Sequence, residues 1–226
     1  MSTTFSNQPR IIPTVFATDR DEFTERLTRL LPVSSILHLD IMDGTFVGAK
    51  SMPIEEIPLL DQEGHTYEAH LMVQNPDEYL SQLKQKGISM IIFHYESNDD
   101  RSSVLHTIDQ IKKEGMTPCL AFNPDTPVET SYFFAEHLEH MLFMGIYPGK
   151  EHQQFIPEVY AKIKLMRRHD PKIIIHLDGG VNNENLGRLV KAGVTQINSG
   201  SYISGAEDPK KAYKELSRIV LENTPP

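Results

Sequence analysis

The chain has 226 residues, of which 39% are hydrophobic and 23% charged, a composition typical of globular proteins. Its formal net charge is −9, and the absence of any basic run argues against nucleic-acid binding. No stretch approaches the ~18 apolar residues of a membrane helix. The first ten residues hold no apolar signal core, and a single cysteine, Cys119, excludes an internal disulfide. We therefore expect a cytoplasmic protein that binds neither nucleic acid nor a membrane.

Eight apolar runs, rich in β-branched residues, predict strands along the chain. They cover residues 11–17, 36–41, 66–72, 90–96, 117–122, 140–146, 172–178 and 195–201. Segments with helical periodicity lie between them, at 19–31, 75–87, 102–115, 155–168, 183–193 and 208–222. The second and fifth connections have weak patterns and predict short helices only.

The alternation of eight strands with helices predicts a (β/α)8 barrel, the TIM-barrel fold, and we expect one domain over residues 1–226. A doubly wound open sheet is the structural alternative. That fold normally has five or six strands and often a glycine-rich first turn. The first connection here begins with Phe-Ala-Thr-Asp-Arg-Asp-Glu at 16–22 and contains no glycine.

Polar side chains cluster at the carboxyl ends of the predicted strands, where barrels of this kind place their active sites. They are His38, Asp40, His70, His94, Glu96, His176 and Asp178. Side chains alternate along a strand, so His38 and Asp40 share one side, as do His176 and Asp178. Imidazole and carboxylate ligands suit Zn, Fe, Mn or Co better than Ca. Each histidine alone could instead fill the barrel interior, but together these residues favour a divalent metal site.

Glycines form a second pattern near the end of the chain. Asp-Gly-Gly at 178–180 closes the seventh strand, and Ser-Gly-Ser at 199–201 closes the eighth. Loops after these two strands commonly bind phosphate in such barrels, and glycine lets backbone N–H groups approach the oxygens closely. The placement of both motifs favours a phosphorylated ligand.

Several motifs together resemble the ribulose-phosphate 3-epimerase family. They are His-Leu-Asp-Ile-Met-Asp-Gly-Thr-Phe-Val at 38–47, His-Leu-Met-Val-Gln-Asn-Pro at 70–76, Phe-His-Tyr-Glu at 93–96, Asn-Pro-Asp-Thr-Pro at 123–127, Met-Gly-Ile-Tyr-Pro-Gly at 144–149, Leu-Asp-Gly-Gly-Val-Asn at 177–182 and Asn-Ser-Gly-Ser at 198–201. The similarity runs in order from about residue 11 to 205. The family fold is also a (β/α)8 barrel, which agrees with the strand pattern.

The resemblance implies a site residue by residue. One divalent metal ion would be held by His38, Asp40, His70 and Asp178, and the two aspartates would also act as acid and base. Residues matching the family's substrate site, or proposed here to contact the phosphate, are Thr14, Met42, Met72, Met144, Gly149, Gly179, Gly180, Gly200 and Ser201. Asp43 is assigned to the adjoining loop, and His94 and Glu96 to support of the ligands. His176, where the family usually has Glu or Gln, would either support the site or fill the barrel.

The implied activity is interconversion of ribulose 5-phosphate and xylulose 5-phosphate by two-aspartate proton transfer through an enediolate. We expect a homo-oligomer. One alternative is a 3-epimerase for a ketohexose phosphate such as allulose 6-phosphate, and another is a non-catalytic relative that binds a sugar phosphate. The orotidine-phosphate decarboxylase group is a third, but it needs a lysine between paired aspartates, where residues 40–43 offer Asp-Ile-Met-Asp.

Two loops depart from the family pattern. Gly48 and Ala49 replace the usual Pro-Asn after the second strand. Lys150, Glu151 and His152 replace Phe-Gly-Gly after the sixth. A glutamate there would repel a phosphate, so the second departure predicts altered substrate handling with unchanged chemistry at the metal.

Overall fold

A computed structural model describes residues 8–98, 100–149 and 153–224. Eight parallel strands pair in chain order and close into a barrel. The strands are β1 (Arg10–Val15), β2 (Ile36–Met42), β3 (Thr66–Met72), β4 (Met90–His94), β5 (Thr117–Phe122), β6 (His140–Met144), β7 (Ile174–Asp178) and β8 (Gln196–Ser199). The barrel prediction is confirmed, and all eight predicted strands are present. The open-sheet alternative is wrong.

Helices connect the strands, as their periodicity predicts. They are α1 (Arg20–Leu30), α2 (Leu80–Gln85), α3 (Arg101–Lys113), α4 (Glu129–Tyr132), α5 (Val159–His169), α6 (Leu186–Ala192), α7 (Ser201–Ser204) and α8 (Pro209–Asn223). The second connection has only the 3-10 turn Ile54–Glu56, and the fifth has α4 and the 3-10 turn Phe133–Glu136. The prediction that these two connections hold only short helices is confirmed. The short helix α7 was not predicted, and its first residue, Ser201, was assigned to the end of the eighth strand.

Local sequence explains where the longer helices begin and what they bury. The Asp19 carboxylate accepts a hydrogen bond from the Glu22 N–H and so caps the start of α1. Phe23, Leu27 and Leu30, spaced four and three residues apart, put one apolar face against the barrel. Asp208 caps α8 in the same way, through the Lys211 N–H. Each helix therefore packs its apolar face against the outside of the barrel.

The main hydrophobic core lies between the helices and the outer face of the barrel. Leu37, Leu39 and Ile41 of β2 belong to it, so alternation turns His38 and Asp40 toward the lumen. The lumen itself is divided. Its β4–β6 side is a small apolar cluster that includes Ile92, Ala121 and Leu142. The opposite side buries polar side chains, namely His38, Glu68, His70, His176, Asp178 and Asn198.

The register of the strands decides which of these polar groups meet. Between β2 and β3, His38 lies opposite Glu68 and Asp40 lies opposite His70. Between β7 and β8, Asp178 lies opposite Asn198. The closed barrel therefore brings the ends of β2, β3, β7 and β8 to one level of the lumen.

No helix in the described ranges is long and apolar enough to cross a bilayer. The described strands and helices all belong to the one barrel. That the whole of 1–226 forms one domain stays a prediction, since residues 1–7 and 225–226 lie outside the described part of the chain.

Candidate active site

The structure brings together the four residues that the resemblance assigns to a metal. One ligand atom from each of His38, Asp40, His70 and Asp178 lies within 4.8 Å of the others. His38 Nε2 is 3.2 Å from Asp40 Oδ1 and 3.8 Å from Asp178 Oδ2. His70 Nδ1 is 3.3 Å from Asp40 Oδ1 and 3.1 Å from Asp178 Oδ2. In a tetrahedral site with bonds of about 2.1 Å, ligand atoms lie about 3.4 Å apart, so the spacing suits one ion.

The electrostatics of the cluster also suit a cation. Burial lowers the pKa of His38, but hydrogen bonds with Asp40 and Glu68 raise it well above its ordinary value. Burial raises the pKa of Asp40, but the neighbouring imidazoles of His38 and His70 hold it well below its usual range. Oxygens of both aspartates lie within 3.8 Å of both rings, so a cation held among the four residues would meet two carboxylates. His70 Nδ1 is buried and meets the geometry of a hydrogen bond with no described residue, so it is available as a ligand.

The second ring nitrogen of each ligand histidine lies within hydrogen-bond distance of another buried side chain. His38 Nδ1 lies 2.7 Å from Glu68 Oε1. His70 Nε2 lies 2.9 Å from His94 Nε2, and His94 Nδ1 lies 3.3 Å from Glu96 Oε2. Glu96 also accepts hydrogen bonds from the Asn123 N–H and the Thr126 hydroxyl. His94 and Glu96 thus lie where the sequence expectation put them, behind a ligand. Glu68 was missed.

His176 does not support the ligand cluster. Its Nε2 lies 2.9 Å from His140 Nδ1, and its ring is 1% exposed in the lumen. Burial lowers the pKa of His176 to about 3, so the ring is neutral at ordinary pH. Of the two roles expected for this residue, filling the barrel fits the structure and supporting the site does not.

A cavity of about 350 Å³ opens above the ligand cluster at the carboxyl ends of the strands. Asp40 and Asp178 lie in its wall, while His38 and His70 are fully buried beneath. All nine residues expected to contact substrate also line it, namely Thr14, Met42, Met72, Met144, Gly149, Gly179, Gly180, Gly200 and Ser201. The Thr14 hydroxyl is buried and has no hydrogen-bond partner among the described residues. It is free to bond a ligand.

The glycine loops offer backbone donors to this cavity. The N–H groups of Gly179, Gly180 and Gly200 donate to no acceptor in the described part of the chain. Gly179 and Gly180 have φ of +95° and +71°, which favours glycine, and a Cβ on Gly179 would collide with Ile146. The described cavity wall contains no lysine, arginine or histidine. The described part of the wall therefore offers an anionic group backbone N–H groups and neutral polar side chains.

Other sequence predictions have separate outcomes. Asp43 belongs to the loop after β2, because its carboxylate accepts hydrogen bonds from the N–H groups of Thr45, Phe46 and Gln74. Lys150, Glu151 and His152 lie outside the described residues. Three aromatic residues of the wall, Phe16, Tyr147 and Tyr202, were not predicted. They follow strand ends in the sequence, and although Tyr147 lies within the motif at 144–149, none of the three was assigned a role.

Comparisons with known proteins agree with this geometry. Residues 10–204 match the ribulose-phosphate 3 epimerase family. A ribulose-phosphate 3-epimerase of Schizosaccharomyces pombe is 30% identical over 222 residues, which is 95% of each chain. The cytoplasmic isoform of the same enzyme from Oryza sativa subsp. japonica is 32% identical over 216 residues, or 93% of this chain and 94% of the relative.

Solved structures support the fold alone. The protein called KGPDC from Streptococcus mutans superposes with a TM-score of 0.74 at 10% identity, covering 95% of this chain and 98% of its own. A 3-hexulose-6-phosphate synthase superposes with a TM-score of 0.69 at 14% identity, covering 93% and 99%. The match over residues 10–204 and the identity with the two curated enzymes settle the family. This chain belongs to the ribulose-phosphate 3-epimerase family of isomerases.

Proposed function

We propose that the protein interconverts ribulose 5-phosphate and xylulose 5-phosphate, using one divalent ion and two aspartates. The observation that supports this most is the convergence of Asp40 and Asp178 on His70 Nδ1, at 3.3 and 3.1 Å, in the floor of the cavity. Their strands, β2 and β7, are three steps apart around the closed barrel. Two carboxylates can therefore reach a bound ketose from different sides.

Epimerisation at C3 requires a proton to leave one face of the carbon and another to arrive on the opposite face. One aspartate, ionised, takes the C3 proton, which leaves an enediolate across C2 and C3. The other, protonated, gives its proton to the opposite face, so the two carboxyl groups exchange protonation states in each turnover. A bound divalent ion, held by His38, Asp40, His70 and Asp178, would supply Lewis-acid stabilisation of the oxygen charge. The buried histidines would keep the aspartates oriented.

The remaining wall accounts for binding of the rest of the substrate. Met42, Met72 and Met144 form an apolar, polarisable surface suited to a flat enediolate. The free N–H groups of Gly179, Gly180 and Gly200 are suited to the phosphate oxygens. The Thr14 hydroxyl is suited to a sugar hydroxyl. A homo-oligomeric state, a cytoplasmic location and the choice among Zn, Fe, Mn and Co belong to the same proposal.

Hydrogen exchange at C3 in deuterated water tests the activity directly. The protein is stripped with a chelator, reloaded with each candidate metal, and incubated with ribulose 5-phosphate and with ketohexose 6-phosphates. Deuterium at C3 together with xylulose 5-phosphate formation is the expected result. If exchange occurs with a ketohexose phosphate and not with ribulose 5-phosphate, the substrate is the ketohexose phosphate. No exchange by any metal-loaded sample would support the non-catalytic alternative.

A further inference from the structure

We propose that Glu68 and Asn198 are positioning residues that hold the His38 ring with its proton on Nδ1 and its Nε2 lone pair toward the ligand cluster. The proposal rests on the metal site of the proposed function and deepens it. Neither residue lines the substrate cavity, and both lie in the lumen beneath it.

The first observation is the contact between His38 and Glu68. The two residues are register partners on adjacent strands, and Glu68 Oε1 lies 2.7 Å from His38 Nδ1. His38 is 0% exposed and Glu68 is 4% exposed. An ionised carboxylate only accepts hydrogen bonds, so this contact requires a proton on Nδ1. When Nε2, which lies 3.2 Å from Asp40 Oδ1, gives up its proton to bind a cation, its lone pair faces the ligand cluster.

The second observation is a donor that fixes the carboxylate. Asn198 comes from β8, and its Nδ2 donates to Glu68 Oε1 at 2.7 Å. The same Nδ2 also lies against His38 Nδ1, and with the proton on Nδ1 both nitrogens are donors that share Glu68 Oε1 as their acceptor. Asn198 Oδ1 is buried without a partner in the described part of the chain. The reversed amide would place Oδ1 against the carboxylate oxygen, so the donor side must face Glu68.

The consequence for the metal follows from the charge of the support. A buried carboxylate behind an imidazole raises the basicity of the ligand nitrogen and fixes the ring plane. Removing the charge of Glu68 should therefore weaken metal binding without touching a ligand. Asn198 contacts Glu68 and the Nδ1 side of His38 but hydrogen-bonds none of Asp40, His70 and Asp178, so it should act through the orientation of the His38–Glu68 pair.

His176 provides a matched control. It is a buried lumen residue like Glu68 and Asn198, but it hydrogen-bonds His140 and contacts none of the four ligand residues. Its replacement removes a buried polar side chain from the lumen but none of the hydrogen bonds that hold the His38 ring.

The experiment measures the dissociation constants of Zn²⁺ and Mn²⁺ by competition with a chelator, for wild type, Glu68→Gln, Glu68→Asp, Asn198→Val and His176→Gln. Circular dichroism and thermal unfolding confirm that each variant is folded. Glu68→Gln should bind about 10- to 100-fold more weakly, the range known for loss of such supports. Asn198→Val should weaken metal binding less than Glu68→Gln does. Glu68→Asp, which keeps the charge, should recover part of the loss, and His176→Gln should match wild type.

A double variant separates positioning from a merely structural role. If Asn198 acts through Glu68, Glu68→Gln/Asn198→Val should bind metal no more weakly than Glu68→Gln alone. Wild-type affinity in the folded single variants, or an equal loss in His176→Gln, overturns the proposal. Should Glu68→Gln fail to fold, Asn198→Val against His176→Gln decides on its own. Wild-type protein that binds neither ion instead overturns the metal part of the proposed function, and this inference with it.

Discussion

Strands β2 and β7 both contain His-Leu-Asp, and the two copies have different surroundings. In both, the leucine packs in the layer between barrel and helices, at 1% exposure for Leu39 and 0% for Leu177. In both, the aspartate reaches the ligand cluster. The histidines differ: His38 Nε2 faces Asp40 and Asp178, whereas His176 hydrogen-bonds His140.

The neighbouring strands cause this difference. Opposite His38 lies Glu68, whose carboxylate accepts a hydrogen bond from the Nδ1–H, and β3 also provides the second ligand histidine. Opposite His176 lie Leu142 and Gln196. The neighbours across the ladder therefore decide whether a histidine in a barrel strand faces the ligand cluster. The same tripeptide thus places one histidine, His38, among the ligands and the other, His176, in the packing of the lumen.

The aspartates should be the most sensitive positions, and equally so in both copies. Asp40→Asn and Asp178→Asn should each lower kcat for epimerisation by about 10²- to 10⁴-fold, because each removes one of the two proton-transfer groups. Steady-state kinetics, with metal content measured in parallel, checks this. Asp109→Asn, in the exposed face of α3, is the control. Near wild-type turnover by either active-site variant would rule out the two-aspartate scheme.

The leucines should be equivalent in stability. Leu39→Ala and Leu177→Ala each remove a fully buried side chain from the same layer, so each should lower the free energy of unfolding by about 2–5 kcal/mol. Urea denaturation measures it. Leu221→Ala, at 61% exposure, should change it by less than about 0.5 kcal/mol. A large difference between the two buried sites would mean that the two strands pack differently.

Substitution of the two histidines should have different effects on metal affinity. His38→Gln removes a ligand, so metal affinity should fall by more than about 100-fold. That value is the upper end of the range for losing a residue that only supports a ligand. His176→Gln should keep wild-type affinity, because its ring hydrogen-bonds His140 and none of the four ligand residues. Chelator competition gives both values. Equal losses would contradict the distinction drawn between the two rings.

His176 should instead affect how the free energy of unfolding changes at acidic pH. Burial lowers its pKa from 6.5 to about 3, so between these values the unfolded chain binds a proton that the folded chain does not. Its contribution to stability is complete above about pH 6.5 and is lost as pH falls, at roughly 1.4 kcal/mol per pH unit. Metal-free His176→Gln should therefore show a shallower loss of unfolding free energy between pH 6.5 and 4 than wild type. Identical slopes would mean that the folded protein protonates this ring normally.

The sequence predicted those features that depend on local pattern. Strand alternation put His38 and Asp40 on the same side, and motif similarity assigned the four ligand residues and nine cavity residues that the structure brings together. The supports of His38 were not predictable in this way. Glu68 and Asn198 are 130 residues apart, and they meet only because the barrel closes between β1 and β8 in one register. His176 was left with two roles for the same reason, since its partner His140 lies on a neighbouring strand.

Crystals of the Zn²⁺- or Mn²⁺-loaded protein, with diffraction recorded at the absorption edge of the metal, test the central claim most directly. We predict one anomalous peak in the lumen within bonding distance of His38 Nε2, His70 Nδ1 and the carboxylates of Asp40 and Asp178. The His176–His140 pair should show none. A peak at that pair, or metal-loaded crystals without a peak among the four residues, would contradict the assignment.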